Sequence, residues 1–354
     1  MAYDPEHFMR RCLELAENGL GSVAPNPLVG AVVVHRNKVI GEGFHQKYGS
    51  AHAEVNAIRN VKDEGLLEES TLYVNLEPCA HTGKTPPCTD LILTKRIPGV
   101  VIGSIDPNSL VAGKGIDRLK NAGVEVLQGV LEKDCRELNR RFFTFYEKKR
   151  PYIILKWAQT TDGFMDIERK TRDPIGVNWI SNAISQTLVH KWRAEEQAII
   201  TSSQTVLLDD PQLTVRHWEG DNPVRIVLDS QLKVPQHARI LDHSAITWVI
   251  NAKEQKNRGN IEYLKIEKTP RLLPDLMDVL YRREIQSLIV EGGRALLMSM
   301  LKAGLWDEAR VIVGEKKFVR GLKAPEIEIP YNMRERILRD WIYIYRNPST
   351  LHFV

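Results

Sequence analysis

Apolar residues recur at two periods along the chain. Phe8, Cys12, Leu15 and Ala16 are spaced as on one face of a helix, so residues 5 to 19 read as an amphipathic helix. "LVGAVVV" and "VIGEGFH" flank "HRNK" and predict a β-hairpin. "HAEVNAIRNV" puts Val55, Ile58 and Val61 on one helical face. "TLYVNL", "GVVIGSI" and "VEVLQG" read as strands, with helical stretches near residues 88 to 96, 113 to 122 and 131 to 149 between them. Alternation of this kind predicts a layered α/β domain with a largely parallel sheet.

The charge run "YEKKRP", closed by a proline, ends that pattern near residue 148. A second α/β pattern follows. "YIILKWA", "AIIT", "VRIVLD", "AITWVIN", "IEYLKI", "SLIVEGG" and "EARVIVG" are strands. "SNAISQTLVHKWRAE" is a helix with Ser181 as N-cap, and "RALLMSMLKAGLW" is another. The aromatic and β-branched tail "WIYIYRNPSTLHFV" predicts a closing hairpin. The expected domains are therefore 1–147 and 151–354.

Composition narrows the function. The chain has 354 residues, 43% hydrophobic and 27% charged, enough for two cores. A net charge of +4 is too small for the basic stripe of a nucleic-acid binder. No apolar run approaches the roughly 18 residues of a membrane helix, and the start lacks the apolar segment of a signal peptide. A cytoplasmic protein without membrane or nucleic-acid partners is expected. In a reducing compartment its four cysteines point to metal binding or burial rather than disulfides.

"AHAEVNAI" and "NLEPCAHTGKTPPC" carry the most specific chemistry. His52, Cys79 and Cys88 are types that hold a catalytic zinc, which takes three protein ligands and leaves one position for water. Glu54, beside the metal and not on it, is a candidate proton carrier. Such a site adds hydroxide to an electron-poor ring carbon and expels ammonia. His52 lies just before a helix, Cys79 just past a strand at the carboxyl edge of a sheet, and Cys88 after two prolines at a helix start. The pattern follows the H-x-E and P-C signature of zinc nucleobase deaminases, with eight residues instead of two between the cysteines. Cys135, in a charged helix, reads as a bystander. In the second half, "IVEGGRALL" is a strand–glycine–helix junction able to bring backbone N–H groups to a phosphate. By itself it leaves open whether this domain is catalytic or only a partner.

"PCAHTGKTPPC", "APNPLVG", "GEGFH" and "DPNSLVAGKG" together resemble the deaminase half of the bifunctional riboflavin biosynthesis family. "LKWAQTTDG", "NWIS", "HKWRAEEQAIITSSQTVLLDDPQLTVR", "RIVLDS" and "VEGGRALL" resemble its reductase half. The resemblance implies a cytidine-deaminase-like fold followed by a dihydrofolate-reductase-like fold. It implies Zn2+ on His52, Cys79 and Cys88, with Glu54 as proton shuttle. Asn26, His45, His81 and Lys84 would contact the pyrimidine and ribose phosphate. Ala158, Trp179, Thr205, Asp209, Ser230 and Gly293 would line an NADPH site. Lys156, Arg193, Leu213, Arg216 and Glu291 would face the reductase substrate, with Arg193 and Arg216 as a phosphate clamp and Lys156 or Asp209 as proton donor. The implied partners are small phosphorylated pyrimidines, and the implied assembly is a homodimer or homotetramer. The sequence departs from the family pattern at Ser109, at Val177 and over residues 314 to 320, "GEKKFVR". Two rivals remain: a nucleic-acid base deaminase, and a deaminase whose C-terminal domain only binds nucleotide or builds the oligomer.

Overall fold

The computed structural model describes residues 4–81, 86–109, 111–169, 174–267 and 269–350. The chain divides into two compact units, Met1–Lys149 and Arg150–Val354.

The first unit runs α1 (Pro5–Glu17), β1 (Gly30–His35), β2 (Lys38–Phe44), α2 (Ala53–Arg59), β3 (Ser70–Leu76), α3 (Cys88–Thr94), β4 (Gly99–Ser104), α4 (Lys114–Asn121), β5 (Glu125–Gln128), α5 (Glu132–Leu138) and α6 (Arg140–Lys148). Its sheet has the order β2-β1-β3-β4-β5. The hairpin is formed, and its turn residues Arg36 and Asn37 both take positive φ, as a tight hairpin turn requires. β1 is antiparallel to both neighbours, and only β3, β4 and β5 run parallel. The sheet is thus mixed, not largely parallel. Alternate residues of β1 explain its unbroken apolar run. Ala31 and Val33 pack under Ala57, Ile58, Ile92 and Leu119 on one face. Val32 and Val34 pack under Phe8, Met9, Cys12 and Cys135 on the other. Strands covered by helices on both faces are apolar at every position. Cys135 is fully buried there, a core residue despite its charged helix.

The second unit runs β6 (Tyr152–Thr160), β7 (Phe164–Ile167), α7 (Ala183–Glu195), β8 (Ala198–Ser202), α8 (Ser203–Asp209), β9 (Val224–Leu228), β10 (Thr247–Asn251), β11 (Lys256–Arg258), β12 (Ile261–Lys265), α9 (Leu272–Arg282), β13 (Ser287–Val290), α10 (Arg294–Lys302), β14 (Glu308–Gly314), β15 (Gly321–Lys323), β16 (Met333–Ile337) and β17 (Asp340–Arg346). Ten strands form one sheet, β11-β12-β10-β9-β8-β13-β6-β14-β17-β16. From β12 to β14 the pairs are parallel, and the outer strands are antiparallel. α7 starts at Asn182, not Ser181: the Asn182 side chain caps the Ser185 N–H at 3.0 Å. The closing hairpin also forms differently. β17 pairs back onto β16 and β14, so the turn precedes the aromatic run.

Candidate active sites

The first site stands at the carboxyl end of β3. His52 is the extended residue before α2, Cys79 lies three residues past β3, and Cys88 opens α3. Their ligand atoms all lie within 4.8 Å of one another. His52 Nδ1 is 3.6 Å from Cys79 Sγ and 3.3 Å from Cys88 Sγ. A tetrahedral zinc with ordinary Zn–N and Zn–S lengths spans N-to-S edges of about 3.6 Å, so the donor set fits that ion. The Cys88 backbone N–H also donates to Cys79 Sγ at 3.3 Å. Bonds from Cys88 and His52 hold Cys79 well below the ordinary thiol range. Cys79 and burial push Cys88 the opposite way, so one thiolate is favoured before zinc, which takes both sulfurs as thiolate, displaces the second proton.

Glu54 sits in the first turn of α2 and is only 3% exposed. Burial pushes its carboxyl up. A carboxyl raised in this way holds a proton more readily than an exposed one, as a proton carrier must.

Asn26 and His45 meet beside the cluster. Asn26 Nδ2 lies 3.0 Å from His45 Nε2, and His45 Nδ1 lies 3.0 Å from the Ala51 carbonyl. A carbonyl accepts only, so Nδ1 carries the proton and Nε2 accepts from Asn26. His45 is 2% exposed, and burial lowers its pKa. It is therefore a neutral imidazole with both ring nitrogens bonded. Its ring centroid lies 5.6 Å from that of His52. His81 is exposed, and Lys84 lies outside the described residues.

Three supporting side chains were not anticipated from the sequence. Asn75 accepts from Gly30 N–H at 2.8 Å and donates to Leu28 O at 2.9 Å. Asn139 accepts from Leu28 N–H at 2.7 Å and donates to the same carbonyl at 2.9 Å. The two buried amides clamp the "NPLVG" segment that delivers Asn26. Glu77, in "LEPC", holds four backbone N–H groups of the chain around residues 106–116. Their only sequence signal is polarity inside otherwise apolar segments.

The second site gathers at the carboxyl end of β13, beside the middle of β6. Glu291 accepts from Arg193 Nε and one terminal guanidinium nitrogen, both at 2.8 Å, and from Lys156 Nζ at 3.1 Å. Burial opposes its charge, but Arg193 and Lys156 prevail and hold its carboxyl well below the usual range. Burial lowers the Lys156 pKa, with Glu291 opposing. Arg193 also donates to Thr214 O at 3.3 Å. Its fork thus binds Glu291 in this structure. Arg216 is exposed, and its guanidinium donates to Thr214 Oγ1 at 2.9 Å. Leu213 is buried in the core with φ of 56°, so its side chain is packing.

Around this ion cluster, Thr205 Oγ1 accepts from Gly293 N–H at 2.9 Å, joining the start of α10 to α8. α10 begins at Gly293 with no side-chain cap, leaving first-turn N–H groups without an intrahelical acceptor. Asp209 accepts from Arg169 at 2.6 Å, and burial raises its pKa with Arg169 opposing. Ala158 lies on β6 opposite Ile312, and Ser230 follows β9, its carbonyl accepting from Ala252 N–H at 3.1 Å. Trp179 is 53% exposed. Of the departing positions, Ser109 and Val177 are exposed. Residues 314–320 fold back onto β6's end, where Asp162 accepts from Phe318 and Val319 N–H at 3.3 and 2.8 Å.

Residues 3–104 match the family model described as the cytidine and deoxycytidylate deaminase zinc-binding region, and residues 151–317 match the RibD C-terminal domain. The riboflavin biosynthesis protein RibD of Aquifex aeolicus (strain VF5) is 42% identical over 92% of this chain and 90% of its own. That of Escherichia coli (strain K12) is 37% identical over 88% of each. Among solved structures, Acinetobacter baumannii RibD superposes with a TM-score of 0.85 at 32% identity, covering 97% of this chain and 98% of that one. The deaminase/reductase of Thermotoga maritima gives 0.85 at 37% identity with the same coverage. The chain belongs to the RibD family of riboflavin biosynthesis, bifunctional proteins in which a zinc-dependent, cytidine-deaminase-like domain precedes an NADPH-dependent, dihydrofolate-reductase-like domain.

Proposed function

We propose that the two sites work in sequence on one phosphorylated pyrimidine. The first hydrolytically removes a ring amino group from the diamino-hydroxypyrimidine ribosylamine phosphate. The second reduces the ribosyl group of the product to ribityl. The observation that carries the first step is the convergence of His52, Cys79 and Cys88 beside buried Glu54.

Zinc bound by these three residues supplies Lewis-acid activation of water at neutral pH. Glu54 takes the proton released as water adds to the ring carbon and delivers it to the departing amino group, so that ammonia leaves. Asn26, fixed by His45, presents an amide to the heterocycle edge. The unidentate donors His81 and Lys84 are the remaining candidates for the ribose phosphate.

In the second unit, NADPH supplies the hydride. Thr205, Gly293 and the uncapped start of α10 fit a phosphate of the cofactor, and the exposed indole of Trp179 and the segments at Ala158, Asp209 and Ser230 complete its boundary. Lys156 holds the proton for the opened sugar: its ammonium is buried and its pKa is lowered. Glu291 fixes Lys156 and Arg193 together. Arg216 is left to meet the substrate phosphate. Asp209, neutralised by Arg169, is not the donor in this reading.

The test is a paired assay on the purified protein. Ammonia release from the first substrate and NADPH oxidation with its deaminated product are both expected, with about one zinc per chain. A folded, zinc-loaded protein that performs neither step overturns the reading. Oxidation without ammonia release, or the reverse, assigns one unit a purely binding role. A homodimer or homotetramer in the cytoplasm is the expected assembly and place. Among the described residues no helix is long and apolar enough to cross a membrane, and sedimentation measures the assembly.

A further inference from the structure

Glu77 takes no part in the chemistry described above, yet few carboxylates in the molecule are bonded more fully by backbone. It lies two residues before Cys79 and is 5% exposed. Its Oε2 accepts from Gly113 N–H at 3.0 Å and from Asp106 N–H at 3.3 Å. Its Oε1 accepts from Gly115 N–H at 2.9 Å and from Ile116 N–H at 3.4 Å. Its own N–H donates to Ser104 O at 2.9 Å. One residue therefore ties the Cys79 turn to the end of β4 by its backbone, and to the residues after it and the first turn of α4 by its side chain.

The backbone around it is built for the same joint. Gly113 has φ of 77°, a conformation that L side chains resist. A Cβ on Gly115 would stand 2.0 Å from the Pro78 carbonyl oxygen, so α4 can meet the Pro78–Cys79 turn only with glycine there. The spacing "GKG" thus follows from two unrelated steric demands, one of conformation and one of approach. The first of Glu77's partners along the chain, Asp106, and Asn108 just after it are both half-buried. Asn108 N–H donates to Asp106 Oδ1 at 2.8 Å, and the Asn108 carbonyl accepts from Val111 and Ala112 N–H at 2.7 and 2.8 Å. These polar residues stand at the carboxyl ends of the strands, level with the Cys79 turn.

We propose that Glu77 is a positioning residue for deamination. It sets the wall carrying Asp106 and Asn108 at a fixed distance from the metal-binding turn, and so sets the width of the pyrimidine pocket. The geometry needs acceptors on both sides: each carboxyl oxygen of Glu77 takes two backbone N–H groups. An amide must turn its NH2 toward two of them. Losing that match leaves the wall free to shift, and misplacement of about 1 Å suffices to cost binding or rate.

This inference rests on the reading of the first site as a deaminase, and the experiment separates the two. Full-length protein, Glu77→Gln and Gly115→Ala are compared for zinc content, thermal midpoint, KM and kcat of ammonia release, and NADPH oxidation as an internal control. Glu77→Gln is expected to raise KM for the pyrimidine roughly tenfold, with kcat per zinc within about threefold of the parent. Zinc content and the reductase rate stay unchanged. Gly115→Ala, which keeps the carboxylate but forces α4 off the turn, should give the same KM signature. Parental KM in both variants, with any loss of activity following zinc content or thermal midpoint, overturns the proposal. A parent that releases no ammonia overturns the deaminase reading instead. If Glu77→Gln does not fold, the KM of Gly115→Ala decides alone.

Discussion

Glu54 and Glu291 are both withdrawn from water, yet their surroundings drive them in opposite directions. Burial dominates at Glu54 and raises its pKa. At Glu291 burial is outweighed by Arg193 and Lys156, so the carboxylate stays ionised. A carboxyl that must move protons and one that must hold cations are thus distinguished by their neighbours. Glu54→Gln keeps the shape and removes the proton carrier. Ammonia release is expected to fall by roughly 10²–10⁴-fold with zinc retained and NADPH oxidation unchanged. A variant retaining the parental rate would remove Glu54 from the mechanism. His190 supplies a pH dependence in the second unit. Burial, then Arg193 and Arg216, push its pKa down to about 4, and its Nδ1 accepts from Arg216 N–H at 3.1 Å. The unfolded chain binds this proton near pH 6.5 and the folded chain near 4. The contribution to stability is therefore complete above about pH 7 and is lost as pH falls through that window. The loss amounts to roughly 1–2 kcal/mol by pH 5. Denaturant unfolding at pH 7 and pH 5 should show this loss in the parent and a smaller one in His190→Gln; equal losses would refute the assignment.

At the scale of elements, what the sequence discloses depends on whether the signal is local. The zinc cluster was legible because His52, Cys79 and Cys88 sit at element ends marked by their own glycines and prolines. The Lys156–Arg193–Glu291 cluster joins β6, α7 and the end of β13, with Glu291 98 residues after Arg193 and 135 after Lys156, and no local pattern marks it. Only the family resemblance pointed there. The resemblance does not say which cations Glu291 holds; the structure shows Lys156 and Arg193 on it. Helix starts show the same limit. "SNAIS" offers Ser181 and Asn182 as equal caps by residue type. Tertiary contacts choose Asn182, whose N–H donates to Asp340 at 2.8 Å and whose side chain also donates to Ile337 O at 2.9 Å. α9 and the pairing of β16 with β17 were missed for a related reason. The first is interrupted by Pro274, and the second is an edge strand of exposed charged residues that gains its order from its partner. Asn182→Ala is expected to cost about 1–2 kcal/mol in unfolding of this unit, and Ser181→Ala close to nothing. The reverse ranking in denaturant titrations would return the cap to Ser181.

For the whole molecule, the two units differ in how much of their function depends on an ion. Among the described residues, the hydrophobic clusters of the first unit are drawn from residues before Lys149 and those of the second from residues after Arg150. Each therefore has its own source of stability. The first places a sulfur pair and an imidazole within 4.8 Å, a concentration of donors that favours metal and leaves coupled thiols without it. The second carries no such cluster among its described residues; its charges are matched internally by Glu291, Lys156 and Arg193. A strong chelator should consequently split the activities. Ammonia release should disappear in step with zinc loss measured by elemental analysis and return when zinc is restored. NADPH oxidation with the deaminated substrate should persist at close to its original rate. The thermal transition of the first unit should move down while that of the second stays in place, because a ligand that binds only the folded state stabilises only the unit that holds it. Parallel loss of both activities on chelation, with both transitions shifted, would mean that the second unit depends on the first for its fold or its catalysis, and the division of labour drawn from separate cores would fail.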